Sequence, residues 1–458
     1  MKKTTPKYVL ALLLIAIHLW QASLVRPVAD DYTLLRIYSQ DGFTSTISYI
    51  WNNFGGNITP AVIRALFVAP SLDTSNWFGF IAFSITTSLL VIMSYLVLIT
   101  WLTNRNMQQI TINDLVVALL ASLAFEGLFT PGLSSAYLFG AAAGVHLWPM
   151  CIFILSLKLI DSFSDMRSRI GFLGFLLISL LLGFIVGNSG FAESSAIFFT
   201  LLVMTIRIHT KKLDSLEYKF RFAIKTHLLG VGLGLVTIFI APGFINRNNR
   251  LGKIDEGFSG LLESFRSSLV SFSGDLLTHP VWLLAFLLVV SWKSSLKIDS
   301  SRAKTLVLFF ALTYVMLVLG STFGYAAWHQ SSGLIFLLAP VAFCIPMLSD
   351  RIQNILKKSG LAYKNIAMII VALTLLGLMA RGVVLQEHRS SAWDANLTKN
   401  YCTVILLTES PLLGAEIKYW PIDLGIEDVN RWAWMEEDYR SWLSSIYKIT
   451  SQKCYRSD

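Results

Sequence analysis

The feature that most constrains this chain is the recurrence of apolar runs with few charges, most of about 17 to 25 residues, the length a helix needs to cross a hydrocarbon layer of roughly 30 Å. They fall near residues 8–24, 77–102, 114–129, 138–160, 170–187, 194–208, 226–241, 281–292, 304–323, 333–348 and 366–385, the eighth being the shortest. Lipid offers no water to satisfy backbone polar groups, so such runs fold as helices, and the period-two alternation of a membrane barrel is absent. Composition agrees: 54% of the 458 residues are hydrophobic and 14% are charged, against roughly 25% charged in a soluble domain. A soluble enzyme is excluded. The expected fold is an all-α polytopic membrane protein with about 11 transmembrane helices.

With the N-terminus inside, the inner loops carry 21 Lys and Arg and the outer loops 7. The long segment after residue 381 is left out, because long segments cross regardless of charge. An N-in, C-out arrangement follows. The net charge of +9 is therefore an orientation signal first, and no basic face with aromatic platforms calls for a nucleic acid partner. Lys2, Lys3 and Lys7 precede the first run as they would in a signal peptide, but no small-x-small cleavage pattern follows Trp20, so the first helix is expected to be retained.

The polar segments are uneven. Three long ones fall outside: 25–76, 242–280 and 386–458. In the first, Tyr32, Leu34, Leu35, Ile37 and Tyr38, then Phe43, Ile47, Ile50, Trp51 and Phe54, recur at helical spacing among polar residues. Two amphipathic helices, either lying on the membrane surface or capping the bundle, satisfy that pattern. Residues 1–385 thus read as a transmembrane bundle with outer loops. Residues 386–458, with Trp393, Trp420, Trp432, Trp434 and Trp442, read as a small exterior C-terminal domain whose tryptophans serve as core, interface anchors or sugar-stacking surface. Cys402 and Cys454 lie in it, either free or closing a disulfide loop of about fifty residues worth roughly 2 to 4 kcal/mol. Cys151 and Cys344 fall within apolar runs, as small fillers.

Polar groups recur at the outer ends of the runs. Asp30 and Asp31, followed by Tyr32, stand immediately after the first run; they read either as a helix cap or as a general base whose pKa is raised by crowding and partial burial. Glu126 sits five residues before Pro131 at the end of an apolar run, where a carboxylate needs a partner or a cavity. Asn188 and Glu193 occupy a short hairpin that needs no carboxylate merely to turn. Arg247 and Arg250 follow the Ala241-Pro242-Gly243 break, and their forked donors suit either a substrate phosphate or lipid headgroups. Tyr325, Trp328, His329 and Gln330 lie on a further outer loop. Acids and phosphate-binding bases at several outer turns favour an enzyme acting on a lipid-linked anionic substrate over a pump with a mid-membrane site.

An acidic pair directly after the first span, surface helices, then ten or so further spans resemble the plan of the GT-C glycosyltransferases that use polyprenyl-phosphate sugars. More narrowly, Ala29-Asp30-Asp31-Tyr32, Ser135-Ala136-Tyr137, Gly187-Asn188 through Glu193, and Ala241-Pro242-Gly243 with Arg247 resemble the motifs of phage-type O-antigen glucosyltransferases, over roughly residues 1–350. The resemblance implies an inverting hexosyltransferase of the bacterial inner membrane, its active site facing the periplasm or cell exterior. Its donor would be a polyprenyl-phosphate sugar, and its acceptor a surface polysaccharide such as lipopolysaccharide O-antigen or another lipid-linked glycan. Asp30 or Asp31 would be the base, Arg247 with Arg250 or Arg64 would hold the donor phosphate, and Tyr32, Glu126, Tyr137, Asn188, Glu193 and His329 would line the pocket. One departure stands out: where such proteins carry an Asn-Gly-Arg-like stretch, this chain has Phe54-Gly55-Gly56-Asn57-Ile58-Thr59-Pro60, which leaves the role of Arg64 open. No cofactor is expected, and a divalent metal at the acidic pair is allowed but not called for by spacing. A flippase of lipid-linked saccharide, an O-antigen polymerase, or an acyl- or phosphoglycan transferase are the alternatives.

Overall fold

The computed structural model describes residues 5–25, 30–53, 55–68, 78–125, 143–163, 169–210, 215–251, 257–279, 281–291, 298–323, 332–347 and most of 366–380. Among these residues the elements are helical and none is a strand. They are α1 (Thr5–Ser23), α2 (Asp30–Asn53), α3 (Ile58–Val68), α4 (Phe78–Leu102), α5 (Ile112–Phe125), a π-helical turn (Ala143–Leu147) running into α6 (Trp148–Phe163), α7 (Arg169–Gly187), α8 (Phe191–Thr210), α9 (Ser215–Ile240), α10 (Pro242–Leu251), α11 (Gly257–Thr278), α12 (Val281–Ser291), α13 (Ser300–Thr322) and α14 (Ser332–Met347). Among the described residues six helices are long and apolar enough to cross a membrane: Pro6–Ser23, Phe78–Leu102, Ala143–Ile160, Phe191–Ile208, Arg221–Ile240 and Ser300–Thr322. The chain is an all-helical membrane protein.

The spanning helices of the bundle are apolar both toward the core and on exposed faces, as lipid-immersed helices are. Phe153, Phe309 and Phe336 are fully buried, and Phe153 meets Phe309 edge-on with ring centroids 5.0 Å apart. Leu173, Leu177 and Leu181 of α7, and Leu229, Leu233 and Val236 of α9, recur every three or four residues and are exposed. In water such stripes would be aggregation surfaces; in a bilayer they face acyl chains.

Lipid supplies no hydrophobic drive between helices, so close packing has to come from small residues. α7 and α9 use glycines. A methyl group added at Gly183 would collide with the His227 carbonyl, at Gly187 with the Val231 carbonyl, at Gly230 with the Leu180 carbonyl, and at Gly234 with the Asn188 backbone. The two backbones therefore touch along two turns. His227 ties α6 into the same seam, with Nδ1 2.9 Å from the Ser179 carbonyl and Nε2 3.2 Å from Ser156 Oγ.

Residues 257–278, read from the sequence as part of a long connection, pack instead against α13. Ser268 Oγ donates to Ser321 Oγ at 2.9 Å, and Ser273 Oγ lies 2.7 Å from Tyr314 OH, so α11 descends as α13 rises. Phe272 and Leu276 pack with Phe310, Leu317 and Val318. The apolar run at 281–292 folds as α12, only 11 residues long, roughly 16 Å at 1.5 Å per residue. Trp282 Nε1 donates to the Leu276 carbonyl at 2.7 Å, which holds α12 to the end of α11. The eighth run is thus a short helix tied to the end of α11.

The bundle has two chemically distinct ends. At one, Arg105 grips Asp114 with both arms, at 3.1 and 2.9 Å, and Asp114 Oδ2 also accepts from the Thr111 amide and hydroxyl, each at 2.8 Å. Lys158 Nζ donates to the Arg105 carbonyl at 3.3 Å, and Arg302 Nη1 donates to the Trp101 carbonyl at 2.7 Å. Asp299 caps α13 by accepting from the Ser301 and Arg302 amides at 2.9 and 3.1 Å. The other end gathers the α2–α3 turn, the π turn before α6, the α7–α8 hairpin and the start of α10.

Candidate functional site

Asp30 and Asp31 are the first two residues of α2. The helix bends at Gly42, whose φ of 81° and ψ of −175° lie in a region populated essentially by glycine, at a cost to an L side chain of about 1 to 3 kcal/mol. Beyond the bend, the second half of α2 lies against α10: a side chain at Gly243 would collide with the backbone of Trp51, Asn52 and Asn53, and Asn246 Nδ2 donates to the Asn52 carbonyl at 3.4 Å. The α2–α3 turn then uses two further left-handed glycines, Gly55 at φ 119° and Gly56 at φ 78°, and Gly56 sits directly on Ala241.

Asn188 locks this turn to the bundle. Its Oδ1 accepts from the Thr59 amide at 2.9 Å, while Nδ2 donates to the Gly56 carbonyl at 3.2 Å and to Thr237 Oγ1 at 2.7 Å. One fully buried amide joins the first loop, the α7–α8 hairpin and α9. The sequence pattern puts Asn188 among pocket residues; the structure makes it a latch, because both nitrogen protons and an oxygen lone pair are committed to protein.

Glu193, in the first turn of α8, is fully buried and its Oε1 accepts from His146 Nδ1 at 3.1 Å. His146 belongs to the π turn, a distortion often found where a helix is shaped for function. The Gly190 amide donates to the Val145 carbonyl at 2.9 Å, fastening the hairpin to that turn. Gly190 cannot carry a side chain: its Cβ would collide with Glu193 Oε2 and His146 Nδ1. Arg64 of α3 is buried, and its stem passes 3.7 Å from the position a Cβ of Gly144 would take. Alongside, Phe83 stacks on Trp148 at 5.0 Å, and Trp148 Nε1 donates to Thr87 Oγ1 at 2.9 Å.

Of the residues singled out from sequence, Asn188, Glu193 and Arg64 come together at this end of the bundle. Arg247 and Arg250 lie in α10, which packs on α2 beside the turn. The side chains of Asp30, Asp31, Tyr32, Arg247 and Arg250 are outside the described set, as are Glu126, Tyr137, His329, Cys402 and Cys454 altogether. His146 is the residue sequence reasoning missed. Its signal was present, since an ionisable group inside an apolar run, here Gly144-Val145-His146-Leu147, is by default a functional candidate. Among the described residues no three His, Cys, Asp or Glu side chains stand together as a metal site.

Comparison with protein-family models, with curated proteins and with solved structures finds no match.

Proposed function

We propose that the chain is a membrane glycosyltransferase that moves a sugar from a polyprenyl-phosphate donor to a surface glycan acceptor at the outer face of a bacterial inner membrane. The observation that carries this reading is convergence. The Gly55–Thr59 turn, the Asn188–Glu193 hairpin and the Ala241–Gly243 break are far apart in sequence, yet Asn188, Gly56 and Ala241 meet at one end of the bundle. The hairpin and the break are segments on which the resemblance to polyprenyl-phosphate-sugar transferases rests, and the first-loop turn that joins them is where the chain departs from that pattern. The opposite end, with Arg105, Lys158 and Arg302, is the basic one, which supports an orientation with that end inside and the site outside.

In this reading the acceptor hydroxyl attacks the anomeric carbon as Asp30 or Asp31 takes its proton, and the bond from that carbon to the phosphate oxygen breaks. The lipid phosphate leaves from the opposite face, so configuration inverts. Arg247 and Arg250 on α10 balance the charge gathering on that phosphate, and Arg64 supplies a buried positive charge beside the π turn. The reading is tested by mass spectrometry of surface glycans from cells with and without the gene. A difference of one hexose-type unit supports it, while unchanged glycan with accumulating lipid carrier points to transport and a changed chain length to polymerisation. Asp30→Asn or Asp31→Asn, whichever residue is the base, is expected to reduce transfer by a factor of about 10² to 10⁴. Full transfer in both single variants and in the double variant would sink the mechanism.

A further inference from the structure

The two oxygens of Glu193 are unequal. Oε1 accepts from His146 Nδ1, whereas Oε2, on a side chain with no exposed surface, has no hydrogen-bond partner. An acceptor left bare at such depth is costly, and a purely structural carboxylate would not be retained there. The ordinary structural task of a glutamate at this position is also missing. As the third residue of α8, Glu193 stands where a capping box would turn its carboxylate back to the amide of Gly190. That amide donates to the Val145 carbonyl instead.

What Oε2 lacks can be narrowed by charge. His146 already holds the carboxylate, and Arg64, a permanent cation, passes beside Gly144 in the same π turn. No third His, Cys, Asp or Glu joins the pair among the described residues, as a cation site would require. The missing partner is therefore a neutral donor. Phe83, stacked on Trp148, reaches the same glycine, so the π turn that carries His146 is flanked by an aromatic pair. A carboxylate oxygen in want of a neutral donor is the chemistry that takes a hydroxyl proton, and a sugar is the part of a lipid-linked saccharide that offers hydroxyls.

We propose that Glu193 Oε2 accepts a hydrogen bond from one hydroxyl of the donor sugar. His146 is a positioning residue that holds the carboxylate in place, and Gly190 supplies the clearance in which Oε2 lies. The proposal rests on a lipid-linked saccharide being the substrate.

The test is binding and transfer by the full-length protein in nanodiscs, using polyprenyl-phosphate glucose, galactose and mannose, each with its monodeoxy forms. For the sugar that binds, Glu193→Gln is expected to weaken binding about tenfold or more, as a hydrogen bond to a charged acceptor is replaced by one to a neutral amide. For one monodeoxy form, and only one, wild type and variant should bind alike. His146→Gln should give a smaller loss that vanishes on the same deoxy sugar, and it carries the comparison if the Glu193 variant does not insert. A loss of equal size on every deoxy sugar, or no loss at all, overturns the proposal. Wild type that binds a lipid-linked sugar without transferring it retires the transferase reading and leaves this one standing. Wild type that binds none of them retires both.

Discussion

At the scale of single residues, the site end of the molecule is organised by side chains whose bonds leave few alternatives. Asn188 is the clearest. Replacing it with Ala leaves the Thr59 amide and the Gly56 carbonyl without their partner in a buried setting, at a cost of about 2 to 4 kcal/mol. Hydrogen exchange should then quicken at the Thr59 amide while the Arg105–Asp114 end keeps its protection. Unchanged protection at Thr59 would mean that the turn is held by something other than this amide. Glu193 was legible in the sequence because a short hairpin needs no carboxylate merely to turn, and Asn188, an ordinary turn residue, only through the resemblance of Gly187-Asn188 to the family pattern. His146 is visible there only as an ionisable ring inside an apolar run, and nothing in that run says which group the ring meets. Only the π turn, which sequence periodicity does not encode, brings that ring to Glu193.

At the scale of elements, glycine spacing decides which helices touch. Gly183 with Gly187, and Gly230 with Gly234, are each four apart, so each pair lies on one face of its helix. That spacing is visible in the sequence, but nothing in it says that the two faces meet each other. The contrast within α7 makes this testable. An added Cβ at Gly187 collides with backbone, whereas at Gly174 nothing stands within 4 Å. Gly187→Ala should lower the thermal midpoint of the detergent-solubilised protein, because two backbones must separate. Gly174→Ala should be neutral or raise it slightly, an alanine being better by about 0.5 to 1 kcal/mol in a helix interior. Equal effects would mean that α7 and α9 are not packed this closely. The same scale explains the run at 281–292: hydropathy marks α12, but α11 is polar enough along one side that its descent beside α13 depends on Ser268–Ser321 and Ser273–Tyr314 contacts that only the fold creates. Gly42 also belongs here. Gly42→Ala is expected to straighten or strain α2 at a cost of about 1 to 3 kcal/mol, read as reduced transfer with the bundle's thermal midpoint little changed, since the bend aims the helix that begins with Asp30.

At the scale of the whole molecule, the two ends differ in chemistry, and this is what the positive-inside argument needs. Arg105, Lys158 and Arg302 are each bonded to a backbone or carboxylate oxygen at one end, so the charge asymmetry of the sequence is built into packing there. The first loop, the α7–α8 hairpin and α10 meet at the other. Gln108 and Asn246 are exposed at the two respective ends and make suitable reporters. In a background with Cys402 and Cys454 replaced by Ala, Cys151 and Cys344 being buried, a single cysteine is placed at either position. A membrane-impermeant maleimide that passes the outer membrane should label Asn246→Cys in intact cells and Gln108→Cys only after the inner membrane is opened. The reversed pattern would put the Glu193–His146 end in the cytoplasm, where a polyprenyl-phosphate sugar is made rather than spent on surface glycan, and the proposed direction of transfer would fall with it.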